Sequence, residues 1–165
     1  PVRDMIAQRS ENWLPELSLT CETELVPESN AVEFSRSFLL FCLHEAILKY
    51  GQDLKNEQWV IEPIANMVIS LAIMDTGFKR YIQIEAGDHK DYTFDVLKLS
   101  IADQFQQCHK NGMDIINALC TSDTLSEKLN LVNDWHEKTK YMPKRIEAQK
   151  RIAKTLYDHT KYYLD

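Results

Sequence analysis

The sequence predicts an all-α protein, an antiparallel bundle of about four to five helices. Three observations carry this. Only four glycines and five prolines occur in 165 residues, too few for the many tight turns of an all-β chain. Apolar residues recur at spacings of three and four along most of the length, which is the helical period. Hydrophobic residues make up 44% and charged residues 27%, near globular averages, which argues against both disorder and a membrane protein. A chain of this length can bury one substantial core.

Residues 1–28 read as a lead-in or linker, with a short amphipathic helix over 3–14 that Pro15 stops. The bundle domain is expected over 29–165. Its first helix is expected to take Ser29 or Asn30 as cap, with Glu33 as the capping-box acid for Asn30. Phe34, Phe38, Phe41, Ala46 and Leu48 keep roughly helical spacing, and Gly51 is a natural stop after Tyr50. A second helix is expected over about 54–84, kinked or delayed by Pro63, with Ile64, Val68, Leu71, Met74 and Phe78 as its inward stripe. Gly87 and Asp88 then provide a turn and a cap.

The third helix, about 88–120, has the clearest pattern. Phe94, Leu97, Ile101, Phe105, Cys108, Gly112, Ile115 and Leu119 follow one another at intervals of three or four, a seam of the kind packed helices share. Gly112 lies on that seam, where a missing side chain permits close approach of a neighbour. A shorter fourth helix, capped by Ser122 or Asp123, presents Leu125, Leu129, Val132 and Trp135 or His136. Met142-Pro143 breaks it. A fifth helix from Pro143 is expected to turn Ile146, Ile152, Ala153, Leu156 and Tyr157 inward.

Net charge is −6, which argues against broad nucleic-acid binding. The charge is uneven, however. Residues 138–161 hold eight basic groups against two acidic ones, Glu147 and Asp158. Lys144, Arg145, Lys150, Arg151, Lys154 and Lys161 form the candidate contact for an anionic surface, either a peripheral membrane or an acidic partner. A solvated face is the commoner meaning of such a pattern.

Cys21, Cys42, Cys108 and Cys120 form no CxxC pair. Cys42 and Cys108 fall at apolar helix positions, so a reducing, cytoplasmic compartment is expected. Neither a signal peptide nor an apolar span of about 18 residues is read in the sequence. A chain that opens on Pro1 rather than methionine is read as a fragment or a processed product.

No catalytic, cofactor-binding or metal site is expected. The residues three before His44, His89, His109, His136 and His159 are Phe41, Ala86, Gln106, Asn133 and Leu156, so no Glu-x-x-His di-iron pair exists. Walker, G-x-G-x-x-G and G-x-S-x-G patterns are absent. Cys108 and His109 point about 100° apart on a helix, which suggests a core thiol and a surface imidazole rather than a nucleophile and its base. Asp75 is mid-helix in an apolar stretch, and an ion pair with Lys79, four residues on, is its expected role.

Several stretches carry a resemblance: 38–51 (FLLFCLHEAILKYG), 57–80 (EQWVIEPIANMVISLAIMDTGFKR), 94–119, and 151–163 (RIAKTLYDHTKYY). In order and spacing they resemble the C-terminal helical extension of acyl-CoA dehydrogenases of the very-long-chain type and their bacterial relatives. Pro63 and the charged Asp75 depart from that pattern. The resemblance implies a parent enzyme that uses FAD to oxidise acyl-CoA thioesters in fatty-acid metabolism. Its active-site glutamate and flavin-binding residues would lie in a catalytic domain outside this chain. This piece would then support dimerisation, or association with the catalytic domain or a membrane. The alternative is a free-standing helical protein–protein interaction module.

Overall fold

A computed structural model describes residues 25–84 and 90–159. They form α1 (Val26–Tyr50), a 3-10 helix (Gly51–Asn56), α2 (Gln58–Gln83), α3 (Lys90–Leu119), α4 (Ser122–Thr139) and α5 (Arg145–His159), with no strand among them. The all-α bundle is as expected. The short helix predicted over 3–14, the Gly87–Asp88 turn and Lys161 lie outside the described residues.

α1 begins at Val26, earlier than the Ser29 or Asn30 cap predicted. Pro27 explains the shift: proline in the first turn lacks only an N–H that the helix leaves unpaired there. Glu28 in the same turn suits the positive end of the helix dipole. Gly51 ends α1 as predicted, at φ 55°, with its N–H bonded to the Ile47 carbonyl. The chain then makes the 3-10 turn, so α2 starts at Gln58 rather than near 54. Pro63 stays inside α2.

The contacts give the topology. Ser35 meets Cys108 and Lys49 meets Ala118, so α1 and α3 run parallel. Arg36 meets Asp75, and Tyr81 stacks on Phe94, so α2 runs antiparallel to both. α4 runs back along α1, with Glu45 paired to Lys128 and Phe41 against Trp135. α5 returns along α3, through Arg145–Asp103 and Arg151–Asp95. Lys49 donates to the Ala118 and Leu119 carbonyls at 2.9 and 2.8 Å, capping the end of α3 from the end of α1.

α3 is the centre, packed against every other α-helix. Of its predicted seam, Leu97, Ile101, Phe105, Cys108, Gly112, Ile115 and Leu119 are buried, and Phe94 is half-buried. Gly112 sits against the Phe38 ring, whose atoms would come within 2.3 Å of a Cβ there. On α1 Phe34, Phe38, Phe41 and Ala46 are buried as expected, but Leu48 is exposed. On α4 Val132 and Trp135 are buried and Leu125 and Leu129 half-buried.

The predicted inward face of α5 holds for Ile152 and Leu156 and fails for the other three residues. Ile146, Ala153 and Tyr157 are exposed, and Ala148 with half-buried Ile152, Thr155 and Leu156 faces the bundle. The reason is electrostatic. Asp95 on α3 is buried and takes both arms of Arg151, at 2.6 Å each, which fixes the rotation of α5 about its axis.

Candidate functional site: an exposed helix face and a polar pocket

α2 carries two seams. Val60, Ile64, Met67, Leu71, Met74, Phe78 and Tyr81 recur at intervals of four and three, and all are buried or half-buried. Trp59, Glu62, Asn66, Ile69, Ile73, Thr76 and Arg80 recur at intervals of three and four on the opposite side, and all are exposed. Trp59 is 82% exposed, Ile69 57% and Ile73 42%. Exposed Ala65, Val68 and Ala72 widen the strip. Val68, predicted inward, therefore belongs to the outer side. Trp59, Val68, Ile69 and Ile73 together are the kind of exposed apolar grouping that contact surfaces carry.

By length and mean hydropathy (1.3) α2 would also pass for a membrane span, contrary to the sequence expectation. Its inner seam is the more apolar one and is committed to α1 and α3. Length and composition therefore do not distinguish a core helix with one open face from a span.

The second feature lies where α4 gives way to α5. Tyr141 is buried and its hydroxyl donates to Glu28 Oε1 at 2.8 Å. Burial first, then the charge and hydrogen bond of Glu28, push the Tyr141 phenol well above its ordinary range. Glu28 Oε2 finds no donor among the described residues. A cleft of about 460 Å3 opens over this pair, rimmed by Lys98, Lys140, Lys144 and Arg151.

A neighbouring cleft of about 350 Å3 is walled by Phe105, His109 and His136. The two imidazoles lie 4.2 Å apart between centroids, and His136 stacks on Phe105 at 5.6 Å. His109 is thus half-buried rather than on the surface as predicted. α4 covers it, which the sequence of α3 alone does not reveal. Burial first, then His136, lowers the His109 pKa to about 4. Burial also lowers that of His136.

Cys108 and His109 diverge as expected. Cys108 Sγ points to the Ser35 carbonyl at 3.8 Å, and burial raises its pKa to about 12, so it is an inert thiol. Cys42 is likewise a core residue, with its pKa raised by burial. Asp75 pairs with Lys79 at 2.6 Å, and with Arg36 at 3.4 Å. No group of three metal-ligating side chains occurs among the described residues.

The basic end divides in two. Arg145 and Arg151 are spent on Asp103 and Asp95, and Lys144 leans towards Glu147 at 3.6 Å. Lys150 and Lys154 remain exposed. Of the five described candidates, the two arginines are therefore held by α3 carboxylates while Lys150 and Lys154 stand in solvent.

Among the described residues the chain is thus an all-α bundle with one exposed helix face and two polar clefts. A solved structure shares the fold: an acyl-CoA dehydrogenase from Bacillus anthracis, crystallised as a complex with FAD. It superposes with a TM-score of 0.82 at 19% identity, over 97% of this chain and 28% of that one. No protein-family model matches the sequence, and no curated protein matches it. The chain thus spans little more than a quarter of the dehydrogenase whose fold it shares.

The described residues do not fit a flavin dinucleotide. The larger cleft sets Lys98, Lys140, Lys144 and Arg151 around the buried Glu28 carboxylate, and the smaller is lined by Phe105 and the imidazole pair. Neither is bordered by a glycine-rich turn.

Proposed function

We propose that this chain is the accessory helical domain of an FAD-dependent acyl-CoA dehydrogenase acting in fatty-acid oxidation, which supports assembly with the catalytic part and performs no chemistry itself. The observation behind this reading is the shared fold. Nearly the whole chain superposes on about a quarter of a dehydrogenase, which leaves the rest of such an enzyme to be supplied from elsewhere. The quoted stretches from 38–51 to 151–163 run in the order of that family's helical extension, and the open face of α2 supports a role in association. The flavin and the acting carboxylate would belong to the catalytic part, in a reducing compartment where the buried thiols stay free.

The test begins with the reading frame upstream of Pro1. A frame that continues into a flavin-binding dehydrogenase supports the proposal. A start codon directly before Pro1, with no flavoprotein co-purifying from the native source, overturns it in favour of a free-standing interaction module. The purified chain alone is expected to be colourless and inactive on acyl-CoA thioesters. Stoichiometric flavin absorption in that preparation would also refute the division of labour.

A further inference from the structure

We propose that His109 and His136, together with the thioether of Met142, form a binding site for a single copper(I) ion that clips α4 to α3. The inference stands apart from the dehydrogenase reading, since it concerns only this chain's own side chains.

The pairing is the first reason. His109 stands on α3 and His136 on α4, yet their ring centroids are 4.2 Å apart at a tilt of 39°. Two imidazoles that share one ion, at about 2 Å per metal–nitrogen bond, have centroids roughly 4.4–5.4 Å apart. The lower figure belongs to a right angle at the ion and the upper to a trigonal one. The two rings therefore need to part by only about 0.2–1.2 Å.

Unmet bonding is the second. His109 Nε2 is buried and has no hydrogen-bond partner among the described residues. Buried ring nitrogens are ordinarily paired, and an unpaired one calls for a bound water or ion. Burial also lowers the pKa of both rings, so each offers a neutral lone pair at neutral pH. A pair kept only for packing would be better made of apolar side chains.

The donor set selects the ion. Gln106, Tyr141 and Met142 line the cleft beside Phe105 and the imidazoles. Met142 is 76% exposed between α4 and α5, so core packing does not account for it. Its unbranched side chain has the freedom to bring its sulfur to the rings. Tyr141 does not compete, because its hydroxyl already donates to Glu28. Among the described residues no carboxylate or thiol completes a group of three with the histidines. Two neutral nitrogens and a thioether make a soft, uncharged set. Calcium and magnesium take oxygen ligands, and structural zinc takes four ligands, commonly thiolates. Thioether sulfur favours copper(I).

The surroundings agree. Phe105 stacks on His136 at 5.6 Å, Phe34 meets it edge-on at 6.0 Å, and Phe38 lies against His109 at 6.0 Å. An apolar wall of this kind penalises a doubly charged ion more than a singly charged one.

The experiment titrates the full chain with copper(I), kept reduced by ascorbate, against a colorimetric copper(I) chelator. Cysteine thiolates also take copper(I), so a background with Cys21 and Cys120 changed to serine is run beside the native chain. Cys42 and Cys108 stay buried in it. The background should bind one ion per chain, and His109→Ala or His136→Ala should weaken binding at least tenfold. Met142→Leu, at an exposed position outside the core, should weaken copper(I) at least tenfold and leave zinc(II) binding unchanged. X-ray absorption of the copper form should show two imidazoles and one sulfur, with the sulfur lost in Met142→Leu. Saturating copper(I) should raise the thermal midpoint of the background but not of the histidine variants.

A background that fails to bind copper(I) overturns the proposal, as does binding indifferent to His136→Ala. Unchanged copper(I) affinity or a retained sulfur in Met142→Leu would assign the ion to other ligands. Zinc(II) held as tightly as copper(I) would refute the choice of ion.

Discussion

Adding one methyl group to two glycines should move stability in opposite directions. Gly112 and Gly77 both lie inside long helices, where glycine is about 1 kcal/mol less favourable than alanine. Propensity alone therefore predicts that Gly→Ala stabilises at each. At Gly77 the new Cβ would meet only Leu97 Cδ1, at an ordinary 3.6 Å. There the gain should survive, about 0.5–1 kcal/mol. At Gly112 the new Cβ would stand 2.3 and 2.4 Å from two Phe38 ring carbons, against an optimum of about 3.5–4.0 Å. The ring must move by more than about 1 Å, and it has nowhere to go. Phe38 is fully buried, with Phe34 and His109 at 5.6 and 6.0 Å between centroids. Overpacking of this kind costs about 1–3 kcal/mol, enough to consume the helix gain. Gly112→Ala should thus be destabilised by up to about 2 kcal/mol. Urea denaturation of both variants measures the signs directly. A Phe38→Leu background, which shortens the offending ring, should reduce the Gly112→Ala penalty by at least about 0.5 kcal/mol. If Gly112→Ala is as stable as Gly77→Ala, or if Phe38→Leu changes nothing, the close approach of α1 to α3 at this point is wrong.

Two further outcomes follow from the core and the imidazole pair. Ile101→Ala and Phe105→Ala should each lose about 2–5 kcal/mol, while Lys110→Ala, on the exposed side of the same helix, should stay within about 0.5 kcal/mol; equal midpoints would mean the wrong side was assigned to the core. For His109 the folded pKa of about 4 lies below the ordinary 6.5, so its contribution is complete above about pH 6.5 and is lost as pH falls towards 4. The full interval would be worth about 3 kcal/mol, which solvent at the open edge of the pair should reduce to about 1–2 kcal/mol. His109→Leu should therefore flatten the acid side of the stability–pH curve relative to the native chain, and parallel curves would remove the pair from any account of acid sensitivity.

What could be read in advance depended on whether one helix face had one job. The α3 seam was legible because every neighbour demands the same residues, and Gly51 because a single glycine after a helical run has few other uses. The rotation of α5 was legible only in part, through Ile152 and Leu156. Its apolar residues gave one answer, and the answer in the fold is set by Arg151 reaching the buried Asp95, 56 positions earlier. Nothing local to either residue announces that pair. The basic end illustrates the same limit, since a count of charges along 138–161 does not separate arginines held by α3 carboxylates from lysines in solvent. The meeting of His109 with His136 likewise depends on how α4 lies over α3, which neither helix encodes alone.

α2 presents the opposite difficulty, an excess of signal. Reading its apolar residues as a single inward stripe mixed Val68 with Ile64, Leu71, Met74 and Phe78, because isoleucine and valine occur on both sides. Separating the positions by phase gives two repeats about 180–200° apart around the axis, since two residues of offset turn a helix by about 200°. The inner repeat is wholly apolar and satisfied by α1 and α3. The outer one mixes tryptophan and isoleucine with glutamate, asparagine, threonine and arginine. A membrane-facing strip would have no reason to hold Glu62, Asn66 and Arg80 on its line, where a charge in hydrocarbon costs about 2.5–3.5 kcal/mol even by the gentler scales. A purely solvated strip would have no reason to hold Trp59, Ile69 and Ile73 there. The combination suits a helix–helix contact that opens to water at its edges.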